Sequence, residues 1–123
     1  MFENDYIMKQ IELSAKFLAK LVFGKESPEY RLQYEETGNE TPSDLLHLTL
    51  RRMIENGQIN EAENLLYEQI EQEQTADNLE VAIDFYDSLS QLDEKTLDEC
   101  DFSRIEILEG LENIKRIYGI GTP

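Results

Sequence analysis

The sequence contains 123 residues, of which 40% are hydrophobic and 31% are charged, so it can bury the core of one domain. Its 27 acidic and 11 basic residues give a net charge of -16 at pH 7, which argues against binding to nucleic acid phosphates. No apolar run reaches the roughly 18 residues of a membrane-spanning helix, no secretory signal is visible, and a single cysteine, Cys100, excludes an internal disulfide. We therefore expect a soluble, cytoplasmic protein that binds neither nucleic acid nor a membrane.

The first predicted helix runs from about Asn4 to Phe23 and ends before Gly24, so that residues 1–24 form an amphipathic N-terminal segment. Its apolar arc is about twice as wide as that of an ordinary surface helix. The residues on this arc are Tyr6, Ile7, Met8, Ile11, Ala15, Phe17, Leu18, Ala19, Leu21 and Val22. Either the fold covers the helix from two sides, or one side binds a partner.

A narrow polar stripe completes the first helix and contains Lys9, Glu12, Lys16 and Lys20. A lysine row beside an apolar arc is typical of helices that lie on acidic membranes, but Glu12 interrupts this row. The acidic remainder of the chain would also be repelled by anionic lipid. We expect the helix to pack on the acidic part of its own chain, on a second copy or on a partner helix. The candidate partner-binding residues are Lys9, Leu13, Lys16, Phe17 and Lys20.

Residues 25–41 interrupt the helical pattern and are predicted to form a loop. Pro28 and the Thr37–Asn39 cluster are turn residues, whereas Tyr30, Leu32 and Tyr34 alternate with polar residues. Because no other segment offers a partner strand, we interpret this alternation as a loop held in place by its aromatic side chains.

The next two helices begin with capping residues. Thr41, Pro42 and Asp44 predict a capping box at the start of the second helix, which ends at Gly57. Asn60 and Glu63 predict a similar start for the third helix. The short connection makes the two helices antiparallel neighbours. Their predicted buried residues are Leu45, Leu46, Leu48, Met53 and Ile54 on the second helix, and Ala62, Leu65, Leu66 and Ile70 on the third.

The C-terminal third of the chain predicts two more long helices. The fourth helix runs from about Asp77 to Leu92, and a short helix over 93–100 points Leu97 inward. The fourth helix is apolar around most of its circumference, and its one polar stripe contains Glu80, Asp84, Asp87 and Gln91. The last helix starts with a capping box from Ser103 to Glu106 and ends at Gly119. Its predicted buried residues are Ile105, Leu108, Leu111, Ile114 and Ile117.

These elements together predict an all-α fold. Residues 1–123 are expected to form one domain, in which 42–119 supply the helical pairs. Two architectures fit about five helices: a helical bundle, or a short right-handed superhelix.

The segment from Leu48 to Tyr67 resembles a tetratricopeptide helix pair. In that family a glycine permits the tight turn, a hydrophobic linker residue fills the gap, and a small residue lets the two helices approach closely. Gly57, Ile59 and Ala62 match these three roles. The resemblance covers one repeat and implies a tetratricopeptide-like interaction domain; a second copy of the repeat is not readable.

The N-terminal residues 5–12 and 21–25, together with 57–67, resemble a small bacterial family of uncharacterised helical proteins. This resemblance covers nearly the whole chain. It implies an all-helical fold and a bacterial cytoplasmic setting, but no function.

The chain is strongly asymmetric in charge. Residues 1–26 contain four lysines and four acidic residues, whereas residues 54–101 contain fifteen acidic residues and one basic residue, Lys95. Such a segment is typical of a solvated acidic surface. The alternative is a docking face for a basic partner, on which the charges steer association.

The sequence contains no recognisable catalytic constellation. Asp44 and His47 are three residues apart, the spacing found in one half of a di-iron carboxylate site. The other half would need a second histidine, and the sequence has only one. The acidic stripe of the fourth helix is expected to be solvated rather than to bind a cation. No family signature supports a Cys100–His47 nucleophile pair, and no phosphate-binding glycine loop is present. We expect no catalytic, metal or cofactor site.

The predicted function is a non-enzymatic protein–protein interaction domain of tetratricopeptide-like type. Its partner is expected to be another protein, basic if it docks on the acidic surface, or a second copy in a homodimer. The alternative is a small-molecule or metal-binding helical protein with an unrecognised activity. A partly exposed cluster of Tyr67, Phe85 and Tyr86 is its expected lining.

Overall fold

A computed structural model describes the backbone of residues 2–121 and the side chains of residues 5–121. These residues form seven helices and no strand, which confirms the all-α prediction; the helices pack into a bundle. Their bounds are α1 (Phe2–Phe23), α2 (Tyr34–Thr37), α3 (Pro42–Glu55), α4 (Ile59–Gln72), α5 (Ala76–Ser90), α6 (Glu94–Glu99) and α7 (Arg104–Ile117). Five are long, and α2 and α6 are single turns. Over the described part of the chain, no helix combines the length and the apolar character needed to cross a membrane.

Helix α5 lies at the centre of the bundle and contacts α1, α3, α4 and α7. Its apolar residues surround most of the helix axis, so that it can be covered from several directions at once. The fully or almost fully buried ones are Leu79, Val81, Ala82, Ile83, Phe85, Tyr86 and Leu89. Helix α1 packs on α5 and α7, and α3 packs on α4 and α5.

The predicted capping boxes at Thr41 and Ser103 are present. The predicted start of the third long helix is wrong. Helix α4 begins at Ile59 after Gln58, which makes no side-chain cap, and the Asn60 side chain instead donates to the backbone oxygens of Cys100 and Asp101 at 3.4 and 3.1 Å. The Asn60 side chain therefore forms hydrogen bonds with a distant loop instead of capping the start of α4.

Three predicted core residues lie at the surface. Leu45 and Leu48 are 53% and 41% exposed, and Leu50, which the prediction omitted, is buried in their place. Ile105 on α7 is also exposed, whereas Ile107 is buried. Neighbouring helices cover only one side of α3 and of α7. Apolar residues on the other side of each helix, including Leu45, Leu48 and Ile105, therefore remain exposed.

The acidic stripe of α5 is buried to a degree that the sequence does not indicate. Asp84 is only 5% exposed, Glu80 and Asp87 are half-buried, and Gln91 alone is exposed. The segment after α1 lies over the stripe. The backbone N–H of Tyr30 donates to Asp84 Oδ2 at 2.7 Å, and Lys25 Nζ lies 3.6 Å from Glu80 Oε1. The prediction of a solvated stripe is therefore wrong.

The loop between α1 and α3 is held by one of its two tyrosines. Tyr30 is buried, and its hydroxyl lies 2.6 Å from Asp44 Oδ1 and 2.7 Å from Ser43 Oγ. Tyr34 is exposed, but its backbone N–H and that of Gln33 donate to Asp44 at 2.9 and 2.8 Å. Asp44 thus caps its own helix and also holds the preceding loop, including α2, against it.

Candidate interaction surface

Helix α1 has a buried side and an open side. Ile11, Ala15, Leu18 and Ala19 are buried in the contacts with α5 and α7. The helix therefore packs within its own chain. Because that packing uses only one side of the wide apolar arc, the remainder of the arc faces outward.

Four large apolar side chains on the outward side form what we call the open α1 face. Tyr6, Leu13, Phe17 and Leu21 are exposed by 67%, 49%, 48% and 58%. At 3.6 residues per turn their spacings of seven, four and four residues keep them within an arc of about 80°. Together they expose on the order of 400 Å² of apolar surface, within the roughly 300–600 Å² of the largest patch on a typical monomer.

Phe17 occupies the middle of the open α1 face and is held from α7. Lys115 Nζ lies 5.8 Å from the centre of the Phe17 ring, and the same ammonium lies 3.3 Å from Glu112 Oε2. A cation above an aromatic face is attracted by the ring quadrupole. This contact orients the ring while almost half of the side chain stays in solvent.

The predicted lysines form a row beside the open α1 face. Lys9, Lys16 and Lys20 are all exposed and lie within about 40° of one another around the helix axis. Lys16 Nζ lies 3.0 Å from Glu12 Oε1. The hydrogen bond and charge of Lys16, with the charge of Lys9, lower the pKa of Glu12. All five predicted partner-binding residues, including Leu13 and Phe17, therefore lie on one exposed side of α1.

His47 and Cys100, the residues considered above as a catalytic pair, contact different parts of the fold. His47 Nδ1 lies 3.6 Å from Asp84 Oδ1, and its ring centre lies 4.9 Å from that of Tyr30. Burial is the largest influence on His47 and lowers its pKa. Cys100 lies near Gly57 at the end of α6, where a Cβ on that glycine would be 3.6 Å from Sγ. In the described side chains, no group of three or more His, Cys, Asp or Glu residues has an arrangement that could hold a metal ion.

The aromatic cluster expected to line a ligand site belongs to the core. Phe85 and Tyr86 are buried and only Tyr67 is half-buried, so the prediction of a partly exposed cluster is wrong. Tyr86 donates from its hydroxyl to Glu63 Oε2 at 2.6 Å, and the Tyr67 hydroxyl lies 2.9 Å from that of Tyr86. Gly110 lies against the Tyr86 ring so closely that an added Cβ would lie 2.2 Å from it. Packing explains the burial of Phe85 and Tyr86, whereas Tyr67 lines a surface groove of about 470 Å³ with Glu63.

Sequence reasoning missed two polar grooves on the surface. One, of about 710 Å³, lies between the first half of α1 and the end of α5 and includes Lys9, Glu12 and Asp87. The other, of about 770 Å³, follows the loop after α1 and includes Lys25, Tyr30 and His47. Both are open and have mixed charge, and their shape depends on long-range packing that no local motif encodes.

The comparison with protein families gives a match over residues 1–119, to a family of unknown function called DUF6483. The chain belongs to the DUF6483 family. No curated protein matches the chain, and no solved structure does. The expected resemblance to an uncharacterised family is therefore confirmed in its general form, and membership of DUF6483 brings no function with it.

The α3–α4 pair of this DUF6483 protein carries the residues on which the tetratricopeptide resemblance depends. Gly57 adopts a φ of 78°, a conformation that glycine tolerates and that turns the chain between the two helices. Ile59 and Ala62 are completely buried. Ile59 is the first residue of α4 rather than a linker residue. The roles that the resemblance implies for these three residues, and the wider tetratricopeptide-like character, remain predictions.

Proposed function

We propose that this DUF6483 protein is a non-enzymatic interaction domain that binds another protein through the open α1 face. One observation supports this most directly: four large apolar side chains lie in a row on the outer side of a helix that already has a complete buried side. The exposed parts of these side chains have an unfavourable hydration free energy that a bound partner would remove.

The size of the open α1 face is consistent with a binding site of moderate affinity. At about 25 cal/mol per Å², burial of this side contributes on the order of 10 kcal/mol, whereas association costs about 4–15 kcal/mol in lost freedom. Apolar contact from this side alone therefore gives weak binding. Polar neighbours, and the partner's own apolar surface, must supply the rest.

The acidic surface is a weaker candidate for the main binding site. Helix α4 carries exposed glutamates at Glu61, Glu68 and Glu71, and none of its large apolar side chains is among the exposed ones. Exposed charges steer a partner and set specificity more than they add affinity. We therefore assign the acidic surface a steering role at most, and the open α1 face the contact itself.

A photo-cross-linking experiment in the native cell tests this proposal. A photoreactive amino acid replaces Leu13 in one variant and Leu45, which is similarly exposed on α3, in a matched control. We expect a discrete cross-linked band from position 13 that is absent from position 45. Adding Phe17→Asp to the position-13 variant should abolish the band while leaving the helical circular dichroism unchanged.

Equal cross-linking from both positions would contradict the proposal, because it would show that exposed leucines react without a specific site. A band at position 13 that survives Phe17→Asp would also contradict it. The absence of any band at position 13 in the native cell would remove the open α1 face as the contact surface.

A further inference from the structure

We infer that the partner segment is an amphipathic helix whose apolar row lies on the open α1 face and whose acidic residues line one side of that row. This inference rests on the proposed function and adds the chemistry of the partner. It follows from the position of the lysine row, Lys9, Lys16 and Lys20, beside the apolar row that forms the open α1 face, and from the charges on either side of these two rows.

The two rows on α1 run in parallel along the helix. Lys9, Lys16 and Lys20 repeat at seven and four residues, and the apolar row repeats at seven, four and four. With a rise of about 1.5 Å per residue, the lysine row spans about 16 Å and the apolar row about 22 Å. Only a straight, elongated element contacts both rows along their length, and an amphipathic helix of about 15 residues or more has that shape.

The lysine row lies between the apolar row and a set of acidic residues. Glu12 forms an ion pair with Lys16, the half-buried Asp87 of α5 interacts electrostatically with Lys16, and Asp5 lies four residues before Lys9 in the same groove. These acidic residues lie on the α5 side of the lysine row, away from the apolar face. A helix placed over the open α1 face would therefore meet ammonium groups along one edge, where carboxylates are attracted and basic residues are repelled.

The other flank of the open α1 face has a different charge pattern. On that side α7 contributes Lys115, which lies over the Phe17 ring and pairs with Glu112. This pair is close to neutral as a whole. The electrostatic preference is therefore confined to one side of the docked helix, which predicts an acidic row on that side rather than acidic residues all round.

A second copy of the chain is less complementary than an acidic helix. In an antiparallel pair of α1 helices related by a two-fold axis, the two lysine rows would lie side by side. A parallel pair would place each lysine row beside the Lys115 flank of the other copy. The exposed apolar pair on α3, Leu45 and Leu48, has Arg52 beside it, so a contact between α1 and α3 would also bring basic groups together.

Two synthetic helix-forming peptides of 18 residues provide the probe. Both carry the same leucine row, and one edge of that row is glutamate in the first peptide and lysine in the second. Fluorescence anisotropy of each labelled peptide is measured against the full-length chain at 50 and 300 mM NaCl. We expect the acidic peptide to bind at least tenfold more tightly at 50 mM NaCl, and this preference to shrink at 300 mM because salt screens exposed charges.

Charge reversal on the protein is the decisive control. The triple variant Lys9→Glu, Lys16→Glu, Lys20→Glu should reverse the preference, so that the lysine-edged peptide binds more tightly. Lys95→Glu, which makes the same kind of replacement at one exposed lysine on α6, should leave the preference unchanged. Phe17→Asp should weaken both peptides at least tenfold, because it removes the apolar contact that they share.

The outcomes separate this inference from the proposed function. Equal binding of the two peptides, tighter binding of the lysine-edged peptide, or a preference that survives the triple reversal would overturn the acidic-helix inference. If Phe17→Asp still abolished binding, the open α1 face would remain the interaction site. A dimer in sedimentation analysis that Phe17→Asp dissociates would replace the acidic helix with a second copy. Failure of both peptides to bind at 1 mM would overturn the inference as well.

Discussion

Tyr30→Phe removes one hydroxyl from the contact that holds the loop after α1 and keeps the buried ring. The hydroxyl donates to the Asp44 carboxylate at 2.6 Å and lies 2.7 Å from Ser43 Oγ. A hydrogen bond to a charged group contributes about 1.5–3 kcal/mol. Asp44 keeps its backbone donors from Gln33 and Tyr34, so the carboxylate is not left without partners. We expect the free energy of unfolding to fall by about 2 kcal/mol.

Urea unfolding followed by circular dichroism measures this loss. Tyr34→Phe is the matched control, because that ring is largely exposed, and it should change the free energy of unfolding by less than about 0.5 kcal/mol. A double-mutant cycle with Asp44→Ala should return a coupling energy between the two side chains of at least about 1 kcal/mol. A loss below about 0.5 kcal/mol for Tyr30→Phe, or no coupling with Asp44, would refute the reasoning.

The same contact predicts the direction of a pH effect. Burial by itself raises the pKa of the Asp44 carboxyl, but hydrogen bonds from Tyr30 and from backbone N–H groups outweigh it and leave the pKa below 3.8. Its contribution to stability is therefore present above the unfolded pKa of about 3.9 and is lost as the pH falls through the folded value. Tyr30→Phe removes one of these donors, so acid unfolding should begin at a higher pH than in the wild type.

Three further changes test other parts of the structure. Gly110→Ala should lower the free energy of unfolding by about 1–3 kcal/mol in urea titrations, because a Cβ there would lie 2.2 Å from the Tyr86 ring, whereas Glu109→Ala on the exposed side should change little. The pKa of His47, measured by NMR, should lie below 6.5, because burial disfavours the protonated imidazole. The unfolded chain therefore binds this proton at a higher pH than the folded chain does. As a result, the contribution of His47 lowers the free energy of unfolding as the pH falls from about 6.5 towards the folded pKa. Arg104→Met should lower the free energy of unfolding by about 1–3 kcal/mol in thermal unfolding, because the Arg104 guanidinium donates to the carbonyls of Ser90, the last residue of α5, and Leu92 at 3.2 and 2.9 Å.

Local features of the sequence predicted the helices well, because their signals lie within a few residues. The capping boxes at Thr41 and Ser103 are examples, since each joins residues three positions apart. The Asn60 prediction failed for the opposite reason. Its amide bonds with Cys100 and Asp101, about forty residues away, and no local pattern reports that contact.

The candidate surface was predictable in part. The wide apolar arc of α1 leaves two possibilities open, coverage from two sides within the fold or a partner on one side, and Leu13 and Phe17 are among the interface candidates for the second. The arc did not show which side α5 and α7 cover. The Lys115 contact with Phe17 depends on two helices nearly a hundred residues apart in sequence, so only the folded chain brings those side chains together.

The packing of α1 against α7 places the first and last helices of the described chain in direct contact, and this has a consequence during synthesis. Ribosomes add about 5–20 residues per second, so α1 emerges roughly 5–20 s before α7 is complete. During that interval α7 covers no part of α1, and transiently exposed apolar surface of this kind is prone to aggregation. Only the inner side is covered once α7 arrives, so the outer side keeps in the mature protein the accessibility that it had on the ribosome.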